Sequence, residues 1–424
     1  MPRPDRPLRV AYLVYRGNPH CGGQGVYTRE LARELTALGH TIEVFSGPPY
    51  PELVDDGQLT RVPSLDLYRP ENPFRVPWPW EFKSRYDVAE FAIMCAAGFP
   101  EPYTFSLRVR KLLRGRRADF DVVHDNQCLG TGVAKLAGDG WPMLATLHHP
   151  ITIDRDLELE HTRRAWKRFT LRRWYGFLDM QTRVARRLPR LITVSESSRR
   201  DIVAQMNVLS DRLHVVPVGA NPDVFRPRPD VRRVPGRIMT TASADVPMKG
   251  LPALLEALAK VRTERDDPNL VVIGKPKGKS AIPALIDRLG LSRAVTFENG
   301  VTTERIVELY AEAELAAVPS LYEGFSLPAV EAMACGVPIV ATTGGALPEV
   351  VGRDGDTGLL VPPGDASALA TTILRALDDE ALRVRLGAAG RARALARFTW
   401  RNTALGTIEH YRALLDEQAR ARTC

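Results

Sequence analysis

At 424 residues the chain is long enough for two separate hydrophobic cores, because single cores rarely grow past about 250–300 residues. Hydrophobic residues make up 44% and charged residues 25%, the balance of a globular protein, which excludes a fibrous or largely disordered chain. The net charge is +8, but no zinc finger or aromatic-basic RNA-binding strand accompanies it, so nucleic acid is not expected as a partner.

Short β-type apolar runs alternate with amphipathic helical stretches, the pattern of a parallel α/β protein. Residues 8–14 read as the first strand. A loop with Gly22 and Gly23 follows, then a helix with Val26, Leu31, Leu35 and Leu38 at helical spacing, closed by Gly39. Residues 41–45 read as the second strand. Only glycine allows a backbone as close an approach as Gly22 and Gly23 offer a ligand, although a plain turn would use the same residues.

Residues 50–105 break the rhythm. They are rich in proline and aromatics, Trp78 and Trp80 among them, and read as an irregular excursion of the kind that covers a binding site. Strands are predicted again at 122–124, 143–147 and 191–194. Between the last two lies the densest positive charge: Arg163, Arg164, Lys167, Arg168, Arg172, Arg173, Arg183, Arg186, Arg187 and Arg190. A solvated helix face explains it, and peripheral contact with a membrane surface through 163–190 is the functional alternative. A linker over 226–235 precedes a second α/β set, with strands at 237–240, 270–273, 315–318 and 339–341. A polar-amphipathic helix over 399–421 ends the chain.

The five cysteines are widely spaced with no C-x-x-C, so neither a disulfide framework nor a structural zinc site is expected, and a reducing cytoplasm is the predicted compartment. The first apolar run is too short for a signal peptide, and no run of about 20 apolar residues is present.

The strongest chemical signal runs from Ser320 to Ala332. A strand ends, a loop with Glu323, Gly324, Phe325, Ser326 and Leu327 follows, and a helix opens near Pro328. Unpaired N–H groups and the helix dipole make that point an anion site. Glu331 is placed to meet a ribose diol and Glu323 to accept from sugar hydroxyls. A hydrolase acid–base pair is the rival reading. On one helix the two carboxyls would stand about 12 Å apart along the axis, whereas glycosidase pairs need about 5–9.5 Å.

At this motif the sequence resembles the family 4 glycosyltransferases of the GT-B fold. The E-x7-E pattern of Glu323 and Glu331 carries the resemblance, with Gly344-Gly345, Thr193-Val194-Ser195-Glu196, Met248-Lys249-Gly250 and the Gly-Leu-Leu-Val-Pro-Pro-Gly-Asp ending at Asp365. It implies two Rossmann-like domains facing across a cleft. Residues 1–218 would form the acceptor domain, 219–399 the donor domain, and the C-terminal helix, about 400–424, would cross back to complete the first.

The resemblance further implies roles for matching positions. Lys249 would neutralise the donor diphosphate. His148, or His149 beside it, would touch a hydroxyl of the transferred sugar at the reaction centre. Gly274, Lys275, Pro276 and Val301 would line the nucleobase pocket. Trp78 and Trp80, with His124, Asp125 and Asn126, would take the acceptor. Ser243 stands where the family usually has an arginine six residues before the lysine. The implied activity is retaining hexosyl transfer from a UDP- or GDP-linked sugar, needing no metal. Asp119/Asp121 and Asp354/Asp356 each spell D-x-D but lack the context of a metal site. A non-catalytic sugar-nucleotide-binding protein and a phosphorylase or epimerase on the same fold are the alternatives. The acceptor, a small molecule, lipid or glycan, is not specified.

Overall fold

The computed structural model describes residues 6–18, 23–55, 58–69, 71–241, 246–276 and 280–423. Contacts divide them into two compact units. Unit 1 comprises 1–194, 198–216 and 403–424; unit 2 comprises 195–197 and 217–402.

Unit 1 is built on a sheet of seven parallel strands: β1 (Arg9–Val14), β2 (Thr41–Ser46), β3 (Leu59–Arg61), β4 (Val122–Asn126), β5 (Met143–Leu147), β6 (Arg190–Thr193) and β7 (Leu213–Val215). Their order is β3-β2-β1-β4-β5-β6-β7. The central strands β4 and β5 are buried at every residue, as helices on both faces of a parallel sheet require. Those helices are α1 (Gly23–Ala37), α2 (Arg85–Cys95), α3 (Glu101–Leu113), α4 (Thr131–Gly138), α5 (Thr152–His161), α6 (Ala165–Trp174), α7 (Phe177–Ala185) and α8 (Glu196–Met206). Gly39, at φ +87, turns the chain out of α1.

The segment expected to be irregular is only partly so. It contains β3, α2 and the start of α3. Helix α2 escapes sequence reading because its buried face is acidic, with Asp87 and Glu90 inside rather than an apolar stripe. Arg108 of α3 compensates both, with Nη2 donating to Asp87 Oδ1 at 2.5 Å and to Glu90 Oε2 at 2.6 Å.

Unit 2 repeats the plan with β8 (Arg237–Thr241), β9 (Asn269–Ile273), β10 (Val295–Glu298), β11 (Leu315–Val318), β12 (Ile339–Thr342) and β13 (Leu359–Val361). Their order is β10-β9-β8-β11-β12-β13, again parallel. The helices are α9 (Leu251–Glu264), α10 (Ile282–Arg288), α11 (Thr303–Glu312), α12 (Leu327–Ala334), α13 (Leu347–Val351), α14 (Ala366–Asp378) and α15 (Glu380–Arg397). The last helix, α16 (Trp400–Thr423), begins in unit 2 and belongs to unit 1 from Thr403 onward. No described helix is long and apolar enough to cross a membrane.

Candidate active site

Both sheets reverse strand order once, between β1 and β4 and between β8 and β11. At such a point the loops leaving the carboxyl ends of neighbouring strands lie side by side, which is where open α/β sheets bind ligands.

In unit 2, the loop after β8 carries Lys249 and the loop after β11 carries Ser320 and Glu323. The lysine Nζ donates to Glu323 Oε1 at 2.7 Å, and Ser320 Oγ donates to the same oxygen at 2.7 Å. The loops clamp one another through Leu321 N, which donates to Met248 O at 2.8 Å. Close approach requires glycine. A Cβ on Gly250, at φ +65, would stand 1.9 Å from Pro319 O, and one on Gly345 would stand 2.3 Å from Glu323 O. Lys249 has three N–H donors, so the contact with Glu323 leaves two for an incoming anion.

Helix α12 starts after Ser326, whose φ of 93° and ψ of 84° lie in the left-handed region. The serine hydroxyl is buried without a partner, and no side chain caps the helix. Pro328, the second residue of α12, has no N–H to satisfy. The positive end of the helix is therefore open to an anion in the same loop that holds Glu323.

Glu331, on the second turn of α12, is half-buried, and burial pushes its carboxyl up to about 7. Gly274 follows β9 at φ +140 and donates its N–H to Glu298 O at 2.8 Å. Lys275 and Pro276 come next, and Val301 lies between β10 and α11. These four residues sit along the carboxyl edge of the sheet, on the β9–β10 side of the Lys249–Glu323 pair. Ser243 lies outside the described residues, as does Gly22.

In unit 1, His148 follows β5, next to β4. Its Nε2 donates to Asn126 Oδ1 at 2.7 Å, its backbone N–H donates to Gln127 Oε1 at 2.7 Å, and its carbonyl accepts from Ser198 Oγ at 3.0 Å. Tyr27 packs edge-on against the imidazole, with ring centres 4.8 Å apart. Burial holds the ring neutral, with its pKa lowered to about 3. Since an amide oxygen only accepts, the proton resides on Nε2 and Nδ1 keeps a lone pair for a hydroxyl donor. His149 turns away, its Nε2 paired with Asp154 Oδ2 at 2.8 Å.

The structure corrects the acceptor assignment of His124 and Asp125. Both are completely buried in β4. His124 Nδ1 meets Tyr411 Oη at 2.6 Å and its Nε2 meets Thr146 Oγ1 at 2.7 Å, so it is an interior strut. Asp125 Oδ2 accepts from Leu129 N at 2.8 Å. Asn126 is buried too, and its visible task is to hold His148.

Trp78 and Trp80 are 62% and 70% exposed and stack on one another with ring centres 5.0 Å apart. Among the described residues no hydrogen bond or ring contact links them to His148. Gly23 is exposed, and a Cβ there would meet nothing, whereas one on Gly25 would fall 1.8 Å from Asn18 O. Gly25 is thus the glycine that lets α1 start where it does. The D-x-D aspartates have structural partners: Asp121 binds Arg9, Asp119 binds Arg116, and Asp354 accepts from Leu360 N.

Residues 21–224 match the family described as Glycosyltransferase Family 4, and residues 229–393 match Glycosyl transferases group 1. The MMP alpha-(1->4)-mannosyltransferase of Mycolicibacterium hassiacum is 51% identical over 98% of this chain and 100% of its own length. The D-inositol 3-phosphate glycosyltransferase of Acidothermus cellulolyticus is 29% identical over 99% of this chain and 93% of its own. Sucrose-phosphate synthase from Thermosynechococcus elongatus superposes with a TM-score of 0.72 at 23% identity, covering 97% of this chain and 100% of that one. Anabaena HepE, solved with UDP and glucose, superposes with a TM-score of 0.70 at 18% identity, covering 96% and 100%. The two units thus have the GT-B fold.

Proposed function

Since this chain belongs to the family 4 glycosyltransferases, we propose that it moves a mannosyl group from a UDP- or GDP-linked mannose to the 4-hydroxyl of a saccharide acceptor, with retention of configuration. It is a hexosyltransferase using a nucleotide-sugar donor. The observation carrying the finer reading is the 51% identity, over 100% of the relative's length, to an α-(1→4)-mannosyltransferase. An α product from an α-linked donor is net retention.

In this reading each unit has a task. Unit 2 grips the donor. Lys249 and the open start of α12 meet the diphosphate, and their positive potential stabilises the charge that grows on the leaving phosphate as the C1–O bond breaks. Glu323, held by Lys249 and Ser320, accepts from hydroxyls of the sugar, and Glu331 accepts from the ribose diol. Unit 1 contributes His148 Nδ1 as acceptor for a sugar hydroxyl. The acceptor oxygen bonds to C1 on the face the diphosphate leaves, and its proton passes to the departing phosphate oxygen. Lys249 and α12 supply the positive charge, so the reading calls on no metal.

Turnover of GDP-mannose and UDP-mannose by the wild type and Glu323→Ala tests it, in the presence and absence of a chelator. Glu323→Ala is expected to lower kcat by roughly 10²–10³, the usual cost of losing a group aimed at the reacting centre, with the chelator changing nothing. A variant as fast as the wild type, or an inverted product in an NMR time course, refutes the assignment.

A further inference from the structure

Unit 1 has a groove of about 510 Å³ between the α2–α3 turn, the start of α4, and helices α6 and α7. That volume lies within the range of small-molecule sites, about 300–1,000 Å³. Its floor is apolar. Phe99 packs against Phe177 with ring centres 5.4 Å apart, and Met180 follows one turn later on α7. Gly98 packs closely on Ile93 at the α2 end, where a Cβ would stand 2.8 Å from Ile93 Cγ2.

The rim has the opposite character. Arg172 and Arg173 in the last turn of α6, and Arg183 on α7, line the groove, and among the described residues no carboxylate does. Other arginines of this unit are matched, as Arg108 is by Asp87 and Glu90, Arg116 by Glu43 and Arg190 by Glu417, and others are not. Arg172, Arg173 and Arg183 form no ion pair among the described residues. Arg173 Nε donates to Ala96 O at 3.0 Å. Thr131, the first residue of α4, also faces the groove, while the next N–H of that helix, on Gly132, donates to Ser106 Oγ at 3.0 Å.

We propose that this groove binds a single-chain anionic amphiphile, a carboxylate or phosphate head on an apolar tail. Three guanidiniums without a carboxylate call for an anionic head, and planar guanidiniums suit carboxylate and phosphate equally. The apolar floor gives nothing to inorganic phosphate, and the cationic rim gives little to a neutral sugar. The site does not depend on the transferase reading and shares none of its residues. It does touch the same scaffold. Gln181, between Met180 and Arg183 in sequence, donates to the carbonyls of Gln127 and Cys128 at 3.1 Å each.

Calorimetric titration of the full chain with dodecyl phosphate and laurate, each below its micelle concentration, tests the proposal. One-to-one binding is expected, weakening roughly tenfold or more in Arg172→Ala/Arg183→Ala as charge-assisted hydrogen bonds are lost. These are exposed positions, and an unchanged melting temperature confirms that the variant folds. Phe177→Ser is expected to weaken the dodecyl ligands through the floor. Inorganic phosphate and dodecyl maltoside are expected not to bind. Equal binding of either, an unaffected arginine variant, or uptake seen only with anionic phospholipid vesicles overturns the proposal.

Discussion

His148 owes its chemistry to a neighbour. Sequence places a histidine after a strand, but only the fold brings Asn126 to its Nε2 and leaves Nδ1 as acceptor. Asn126 is therefore a positioning residue. Asn126→Ala is expected to lower kcat/KM roughly tenfold, the order of loss when a partner that orients a functional histidine is removed. Asn126→Asp preserves the shape but adds negative charge, which raises the pKa of His148. That variant should acquire an acid limb in its pH–rate profile that the wild type lacks. Identical profiles would show that Asn126 does not set the protonation of His148. Glu331 carries the second prediction at this scale. Burial raises its pKa to about 7, so it is protonated in mild acid and about half ionised at neutrality. An ionised carboxylate accepts from a diol better than a protonated one. Nucleotide affinity should rise with pH up to about 7, by as much as roughly tenfold per unit below the pKa, then level off. Calorimetry at pH 6 and pH 8 reads this directly, and Glu331→Gln should flatten it.

Among elements, the loop after β8 and the loop after β11 have complementary needs. The loop after β11 was visible in the sequence as a glycine loop, with Pro328 marking the helix start, whereas the loop after β8 entered only through the family resemblance of Met248-Lys249-Gly250. The Lys249–Glu323 pair was not visible, because it depends on β8 and β11 being neighbours although 73 residues, 242–314, lie between the strands. Ser320 and Gly345 stand in motifs the sequence shows, but their part in holding Glu323 is legible only in the fold. The same blindness produced the error at β4. His124 and Asp125 sit at a strand end as a ligand-binding pair would, yet α16 covers His124. Helix α2 was missed because buried carboxylates, satisfied by a distant arginine, imitate a surface pattern. The tight packing of the loops gives a test. Gly250→Ala would force a methyl into Pro319 O at a positive φ, and should destabilise the protein by on the order of 2–4 kcal/mol in urea denaturation. A loss below about 0.5 kcal/mol would show that the loops separate at little cost.

For the whole molecule, alternation of strands and helices with a linker near 226–235 made two α/β units legible. Their strand order was not, since it rests on crossovers that composition does not encode. The final helix completes the first unit. Tyr411 is fully buried, and its hydroxyl reaches His124 Nδ1 at 2.6 Å. Tyr411→Phe would leave a buried ring nitrogen unpaired and is expected to cost about 1–3 kcal/mol. Equilibrium denaturation checks it, and an unchanged midpoint would mean that solvent reaches His124.

That arrangement sets an order of events at the ribosome. Domains are usually made and folded amino end first. Here the opening unit cannot close over His124 until Tyr411 has left the exit tunnel, after every strand of the second unit has been made. The nascent amino-terminal half must wait, its apolar surface on view, through the translation of its partner. Products cut short before α16 are therefore natural clients for chaperones and proteases.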